Sequence, residues 1–137
     1  FVRCKLTSDA RGSAIELNAK NSIIENCSFI NNVGIGSGTL GLYMTATYTT
    51  VRNCTFINNK LTDKNYLHST GGAAIYASAY STVNVDNSVF KNNEAIWGNA
   101  ILNGNHATLK ISNSKLKIKK RHHSLHFLFF NCLRFST

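Results

Sequence analysis

The chain contains no proline, and charged residues make up only 15% of its 137 positions. It has no run of 18 uncharged apolar residues, which excludes an ordinary membrane-spanning helix from this stretch of sequence. The four cysteines form no Cys-x-x-Cys pair and no Cys/His pattern typical of zinc sites, so we expect neither a metal nor another cofactor. The hydrophobic share of 43% nevertheless argues against a disordered chain.

Acidic residues are missing from one end of the chain. Residues 1–109 carry 8 Lys and Arg against 6 Asp and Glu, whereas residues 110–137 carry 7 basic residues and no acid. A phosphate-binding surface needs basic residues spread over a folded face with aromatic residues among them, and the body of the chain lacks this combination. We therefore expect no nucleic-acid partner.

Asparagine is abundant, with 18 residues, and its positions repeat. Asn disfavours helices and tolerates left-handed turn geometry, so this composition predicts many tight turns. Four segments end alike, with spacings of 27, 34 and 26 residues, and three of them continue as Phe-x-Asn-Asn. These segments are Asn26-Cys-Ser-Phe29, Asn53-Cys-Thr-Phe56, Asn87-Ser-Val-Phe90 and Asn113-Ser-Lys-Leu116.

Short runs of alternating apolar and polar residues lie between these segments and predict strands with one buried face. A unit of about 21 to 23 residues with three short strands cannot bury its apolar face alone, so the units must stack in parallel as a β-helix. A leucine-rich repeat has a similar period, but its Leu-x-x-Leu-x-Leu framework is absent. We expect a piece of a longer repeat protein, with a partial coil at 1–9 and coils at 12–32, 38–59, 71–93 and 98–118.

Stacking turns each repeated position into a column along the axis of the β-helix. It predicts an inward column of large side chains, and a row of asparagines at a strand-to-strand corner whose amides bond to the next coil. Three thiols also share a column, where parallel Cβ vectors suit a disulfide poorly, so we expect buried, unlinked cysteines. The columns are Phe29, Phe56, Phe90 and Leu116; Asn26, Asn53, Asn87 and Asn113; and Cys4, Cys27 and Cys54.

Charged residues align in the same way. Glu25, Arg52 and Asp86 each precede a corner asparagine, so opposite charges lie on neighbouring coils, which we interpret as selection of register. The acids show no convergence that would indicate the paired carboxylates of glycoside hydrolysis. The segments at Asn26 and Asn53 are also formal N-glycosylation sequons, although the repeat itself generates them.

The segment Gly71-Gly-Ala-Ala-Ile75, together with Phe-x-x-Asn after Phe29, Phe56 and Phe90, resembles the repeat of polymorphic outer membrane proteins. It is also similar to the asparagine-rich β-helical repeats of adhesin-like proteins from methanogenic archaea. The resemblance covers residues 1–118. It implies a right-handed parallel β-helix in a cell-surface or secreted protein used in adhesion, and it supplies no catalytic residues.

The repeat pattern stops near the end of the fourth coil. Residues 119–137 combine basic residues with four Phe and three Leu, and they lack the corner Asn and turn Gly of the coils. Three interpretations are open: a cap over the last coil, a basic segment on a membrane surface, or non-native sequence from an aberrant reading frame.

Binding must come from the outward faces and from the segments between coils, because packing and turn geometry fix the other positions. These segments are 33–38, 60–70 and 94–97, and the candidate partner-binding residues are Tyr66, His68 and Trp97. We expect a non-enzymatic, extracellular or cell-surface, adhesin-like region or stalk whose partner is a surface protein or a glycan. The alternatives are a fragment of a β-helical polysaccharide lyase or hydrolase and a tail-spike-like trimer.

Overall fold

The computed structural model describes residues 3–4, 13–35, 38–43, 47–62, 71–96 and 98–117, and the backbone of 133–135. Within these ranges every regular element is a β-strand. In chain order the strands are β1 (Ile15–Leu17), β2 (Asn21–Glu25), β3 (Ser28–Ile30), β4 (Val33–Gly34), β5 (Leu40–Leu42), β6 (Tyr48–Arg52), β7 (Thr55–Ile57), β8 (Lys60–Leu61), β9 (Ile75–Ala77), β10 (Thr82–Asp86), β11 (Val89–Lys91), β12 (Ile101–Asn103), β13 (Thr108–Ser112), β14 (Lys115–Lys117) and β15 (Leu133–Phe135).

The strands form three long parallel sheets along the axis of the molecule. The first sheet has the order β1-β5-β9-β12, the second β2-β6-β10-β13 with β15 beyond β13, and the third β3-β7-β11-β14. Strands β4 and β8 form a short fourth sheet, which the three-strand repeat unit did not predict. Each coil contributes one strand to each long sheet, which confirms the parallel β-helix.

The aromatic column lies at the centre of the third sheet. Phe29, Phe56 and Phe90 are in register and are at most 1% exposed. Their rings stack with centroid separations of 4.6 and 5.0 Å and planes within 4° of parallel. Leu116 pairs with Phe90 as expected, but the prediction that it is buried is wrong, because it is 36% exposed. Strand β14 is an edge of the described sheet, so no further described strand covers Leu116.

The turn between the second and third sheets uses left-handed backbone in every coil. Asparagine fits this geometry because its short polar side chain tolerates a positive φ. The side-chain ladder expected here is only partial: the Asn87 amide donates to Asn53 Oδ1 at 2.7 Å, whereas the Asn113 amide donates to Asp86. These side chains point into solvent, where water competes for their bonds. The φ angles are 55° at Asn26, 53° at Asn53, 42° at Asn87 and 48° at Asn113.

A continuous asparagine ladder lies instead at the next corner, inside the molecule. It consists of the second asparagine of each Phe-x-Asn-Asn segment: Asn32, Asn59 and Asn93, which are at most 3% exposed. Asn59 Oδ1 accepts from both the backbone and the side-chain amide of Asn32, and Asn93 Oδ1 accepts the same pair from Asn59. The first asparagine supplies the turn, with φ of 57°, 54° and 55° at Asn31, Asn58 and Asn92.

One inward position of the second sheet carries a polar residue, Thr49. Thr49 is fully buried and pairs with Val83, yet its hydroxyl has no hydrogen-bond partner among the described residues. We expect Thr49→Val to raise the free energy of unfolding by about 1 kcal/mol, because it removes an unpaired buried polar group without changing shape. Urea unfolding measures this. The control Thr50→Val on the outward face of the same strand should change stability by less than about 0.5 kcal/mol; a destabilised Thr49→Val would contradict the assignment.

Part of the region beyond the fourth coil joins the stack. Strand β15 pairs in parallel with β13, with Leu133 opposite Leu109. This pairing is what the cap interpretation of the tail requires. The rest of residues 118–137 lies outside the described ranges.

Candidate binding surface

The partner-binding residues expected from the sequence, Tyr66, His68 and Trp97, lie outside the described residues. The described parts of the inter-coil segments belong to the stack itself. Val33 pairs with Lys60 in the short fourth sheet, and Lys60 bridges in turn to Glu94, with 3.4 Å between Nζ and Oε1. The first residues of the inter-coil segments are therefore part of the coils.

A different outward feature occurs at the turns between the first and second sheets. Residues 78–81 and 104–107 form four-residue turns, closed by bonds from the Ser81 amide to Ser78 and from the Ala107 amide to Gly104. Tyr80 and His106 occupy the third position of these turns with φ of 59° and 57°. A left-handed conformation is unfavourable for a bulky residue such as Tyr80, whereas histidine adopts it more readily, and backbone outliers of the first kind concentrate at functional sites.

Tyr80 and His106 form an exposed aromatic pair. Their ring centroids are 5.1 Å apart and their planes differ by 14°, with Tyr80 62% exposed. A second pair precedes this turn in the chain and in the adjacent coil: Tyr76 is the middle residue of β9 and Tyr43 directly follows β5, with ring centroids 5.1 Å apart. Both of these rings are half-buried. We refer to Tyr43, Tyr76, Tyr80 and His106 as the aromatic edge.

Sequence reasoning missed the aromatic edge because a positive φ cannot be read from Tyr or His. One signal was available: an aromatic residue stands third in each four-residue link, Ser-Ala-Tyr-Ser at 78–81 and Gly-Asn-His-Ala at 104–107. Aligning the strands on either side of these links would have placed Tyr80 and His106 in one column.

The described carboxylates are engaged by their neighbours. Arg52 contacts Glu25 with 2.6 Å between Nη2 and Oε2, in the arrangement that the aligned charges predicted. Both side chains are nearly half exposed, so this pair contributes little to stability but favours the native register. The Asn18 amide donates to Glu16 at 3.2 Å, and Glu94 contacts Lys60.

Asp86 turns towards the following coil. Its Oδ1 accepts from the Ser112 hydroxyl at 2.7 Å and from the Asn113 amide at 2.9 Å, and these bonds lower the pKa of Asp86 below its ordinary value. Since the folded pKa is depressed, the contribution of Asp86 to stability is present above the unfolded pKa, about 3.9, and is lost as pH falls through the folded pKa.

We expect Ser112→Ala to raise the pKa of Asp86 towards its ordinary value, because Ser112 makes the largest contribution to the depression. An NMR titration of the carboxyl group measures this change. Thr108→Ala, on the outward face of the same strand, is the control and should leave the titration unchanged. Equal titrations in the wild type and in Ser112→Ala would contradict the assigned bond.

Two thiols of the cysteine column donate hydrogen bonds to nearby backbone carbonyl groups. Cys27 and Cys54 donate to the carbonyl oxygens two residues earlier, at 3.1 and 3.2 Å, as Ser88 does at 2.8 Å. All three described cysteines are free, and burial raises the pKa of the Cys54 thiol. Cys54 is buried as expected, but Cys4 and Cys27 are only half-buried, because they lie near the first end of the described stack.

Metal sites and membrane-spanning helices are absent from the described ranges. No three His, Cys, Asp or Glu side chains there form a group that could hold a metal ion. Those ranges also contain no helix of the length and apolar character needed to cross a membrane.

Comparison with known proteins identifies the family. The chain matches no curated protein and no solved structure. The family model described as a right-handed β-helix region matches residues 1–116, which includes every strand up to β13. Since this match covers most of the sequence and agrees with the parallel stack of coils, the chain belongs to the right-handed β-helix family.

Proposed function

We propose that this chain is an adhesin-like, non-enzymatic region of a cell-surface or secreted protein, which binds a glycan or a surface protein through its outward faces. The observation that carries the proposal is the exposed, stacked pair of Tyr80 and His106 at positive φ. Folding alone would favour Asn or Gly at the left-handed position of Tyr80, as at most of the other left-handed positions in the described ranges, where Arg3 is a further exception. Binding provides a reason for aromatic side chains there.

The aromatic edge has suitable chemistry for such a partner. Tyrosine presents a rigid apolar face together with a hydroxyl group, and it loses little conformational entropy on binding. Two ring pairs beside one turn offer an extended contact for a sugar chain or for a peptide segment. One such surface binds weakly, and multivalent display on a cell surface raises the overall affinity.

The β-helix fold also occurs in enzymes that cleave polysaccharides, so the fold does not decide between the two functions. The engagement of the described acids supports the non-enzymatic proposal. Glu25, Asp86 and Glu94 each contact a side chain from the adjacent coil, whereas hydrolysis needs two carboxyl groups about 5 to 10 Å apart across a cleft.

The substitution Tyr80→Asn tests the effect of this side chain on binding separately from its effect on stability. We expect it to raise the free energy of unfolding by about 1 kcal/mol, since asparagine accepts the left-handed conformation more readily, and to weaken binding at least fivefold through loss of the stacked ring. The chain is tetramerised on streptavidin and assayed against immobilised neutral polysaccharides and against cell-surface extracts. Stability is measured by urea unfolding.

Tyr48→Asn is the matched control, because Tyr48 is 51% exposed on the second sheet and lies outside both ring pairs. It should leave binding within twofold of the wild type. Unchanged binding by Tyr80→Asn, or no binding by the tetramer, would contradict the proposed surface. Release of reducing sugar or unsaturated product, abolished by Asp86→Asn or Glu94→Gln, would favour the polysaccharide-cleaving alternative.

A further inference from the structure

The outer face of the third sheet changes character along the axis of the β-helix. Both outward columns of this face begin with polar or apolar residues in the first two coils. One column reaches a lysine in the fourth coil, and the other has lysines in the third and fourth coils. In register, the columns are Ser28, Thr55, Val89 and Lys115, and Ile30, Ile57, Lys91 and Lys117.

The lysines are held close together by the backbone. Lys91 and Lys117 are directly opposite on adjacent parallel strands, which lie about 4.8 Å apart. Lys115 is two residues before Lys117 on the same face, a separation of about 6.6 Å along the strand. All three side chains are exposed, and none forms an ion pair within the described part of the chain.

The nearby acids already have partners. Glu94 is contacted by Lys60, and Asp86 accepts from Ser112 and Asn113. Like charges directly opposite each other on neighbouring strands are unfavourable, so the fold gains nothing from this arrangement. Other aligned charges in the described stack include the opposite pairs Glu25 with Arg52 and Lys60 with Glu94, and also a like pair, with Lys110 opposite Arg134 in register.

We propose that Lys91, Lys115 and Lys117 bind a linear anionic polysaccharide that carries carboxylate or sulfate groups. The half-buried side chains of Ile57 and Val89 precede the lysines in the two columns and offer an apolar surface for the sugar rings. A face only two outward residues wide fits one extended chain. Single-stranded nucleic acid would favour aromatic residues for stacking, and here the neighbours of the lysines are aliphatic.

This site lies on a different sheet from the aromatic edge and rests on a separate observation. An experiment can therefore contradict binding at one surface without contradicting binding at the other. Its binding is electrostatic, so it weakens with rising salt concentration, whereas stacking on the aromatic edge depends on salt far less.

The experiment measures binding of the full chain to immobilised polygalacturonate and heparin at low and moderate salt, with dextran as the neutral polymer. Lys91→Gln/Lys117→Gln should weaken binding to the acidic polymers at least tenfold and reduce its salt dependence. Lys20→Gln/Lys110→Gln removes the same charge from exposed positions outside the two columns and should change binding by less than threefold. All of these side chains are exposed, so thermal unfolding should remain close to that of the wild type.

Four outcomes would overturn the proposal. The first is an equal loss of binding in the two double variants, and the second is no binding of the wild type to either acidic polymer. The third is tighter binding to vesicles of phosphatidylserine than to the acidic polymers, and the fourth is tighter binding to single-stranded DNA than to these polymers. The first would indicate general charge attraction, the third a membrane surface, and the fourth a nucleic-acid partner. Retention of binding by Lys91→Arg/Lys117→Arg would support the site, because arginine preserves the charge.

Discussion

Replacement of Asn59 by alanine is expected to lower the free energy of unfolding by about 4 kcal/mol, since several buried polar groups would each lose a partner at about 1 to 3 kcal/mol. Asn59 is fully buried, and its Oδ1 accepts the backbone amide and the side-chain amide of Asn32 at 3.1 and 2.9 Å. Its own amide donates to the Phe29 carbonyl at 3.0 Å and to Asn93 Oδ1 at 2.9 Å. The alanine variant removes these four buried bonds, and Asn93 Oδ1 keeps only the bond from the backbone amide of residue 59.

The adjacent residue provides the control. Asn58 belongs to the same Asn-Asn pair but is exposed, with φ of 54°, so Asn58→Gly should change the free energy of unfolding by less than about 1 kcal/mol. Urea unfolding monitored by circular dichroism compares the two variants. Similar losses in both would show that the turn, and not the buried ladder, accounts for the repeated Asn-Asn motif.

The sequence predicted the fold because parallel, in-register stacking makes every structural constraint recur at the length of one coil. Phe29, Phe56 and Phe90 could be aligned from their spacing alone, and the structure pairs them as aligned. The same reasoning predicted the corner ladder, which the structure shows only in part between Asn53 and Asn87, and it missed the buried ladder through Asn59. Spacing identifies which residues share a column, but it does not show whether that column points inward, as at Asn59, or into solvent, as at Asn53.

The aromatic edge was harder to predict for a different reason. Tyr80 adopts a backbone conformation that its residue type disfavours, so propensity argues against the turn observed there. Leu116 was assigned to the correct column, but its exposure depends on whether another strand follows. The repeat pattern does not specify this. Local rules therefore succeed where each coil obeys them and fail at turns whose backbone conformation the residue type disfavours and at the ends of the stack.

The aromatic column should contribute as much to stability as the amide ladder. Phe56 is fully buried and stacks on Phe29 and Phe90, with ring centroids 4.6 and 5.0 Å away. We expect Phe56→Ala to lower the free energy of unfolding by about 4 to 5 kcal/mol, because it removes a buried ring, leaves a cavity and breaks two stacked contacts. Phe56→Leu, which fills much of the space, gives a smaller loss that stays measurable if the alanine variant does not fold.

Two controls separate the effect of burial from that of the column. Leu116→Ala changes the same column at its exposed end, and Ile57→Ala changes the outer face of the same strand, so each should cost only about 1 kcal/mol. The loss in the free energy of unfolding should be larger for a residue inside the column than for one at its end. An interior residue packs against a ring on both sides, whereas a terminal residue packs against a ring on one side only. If Phe56→Ala costs no more than Leu116→Ala, the stacked rings do not form the stabilising core, and the backbone ladders with the buried asparagines would have to hold the coils together.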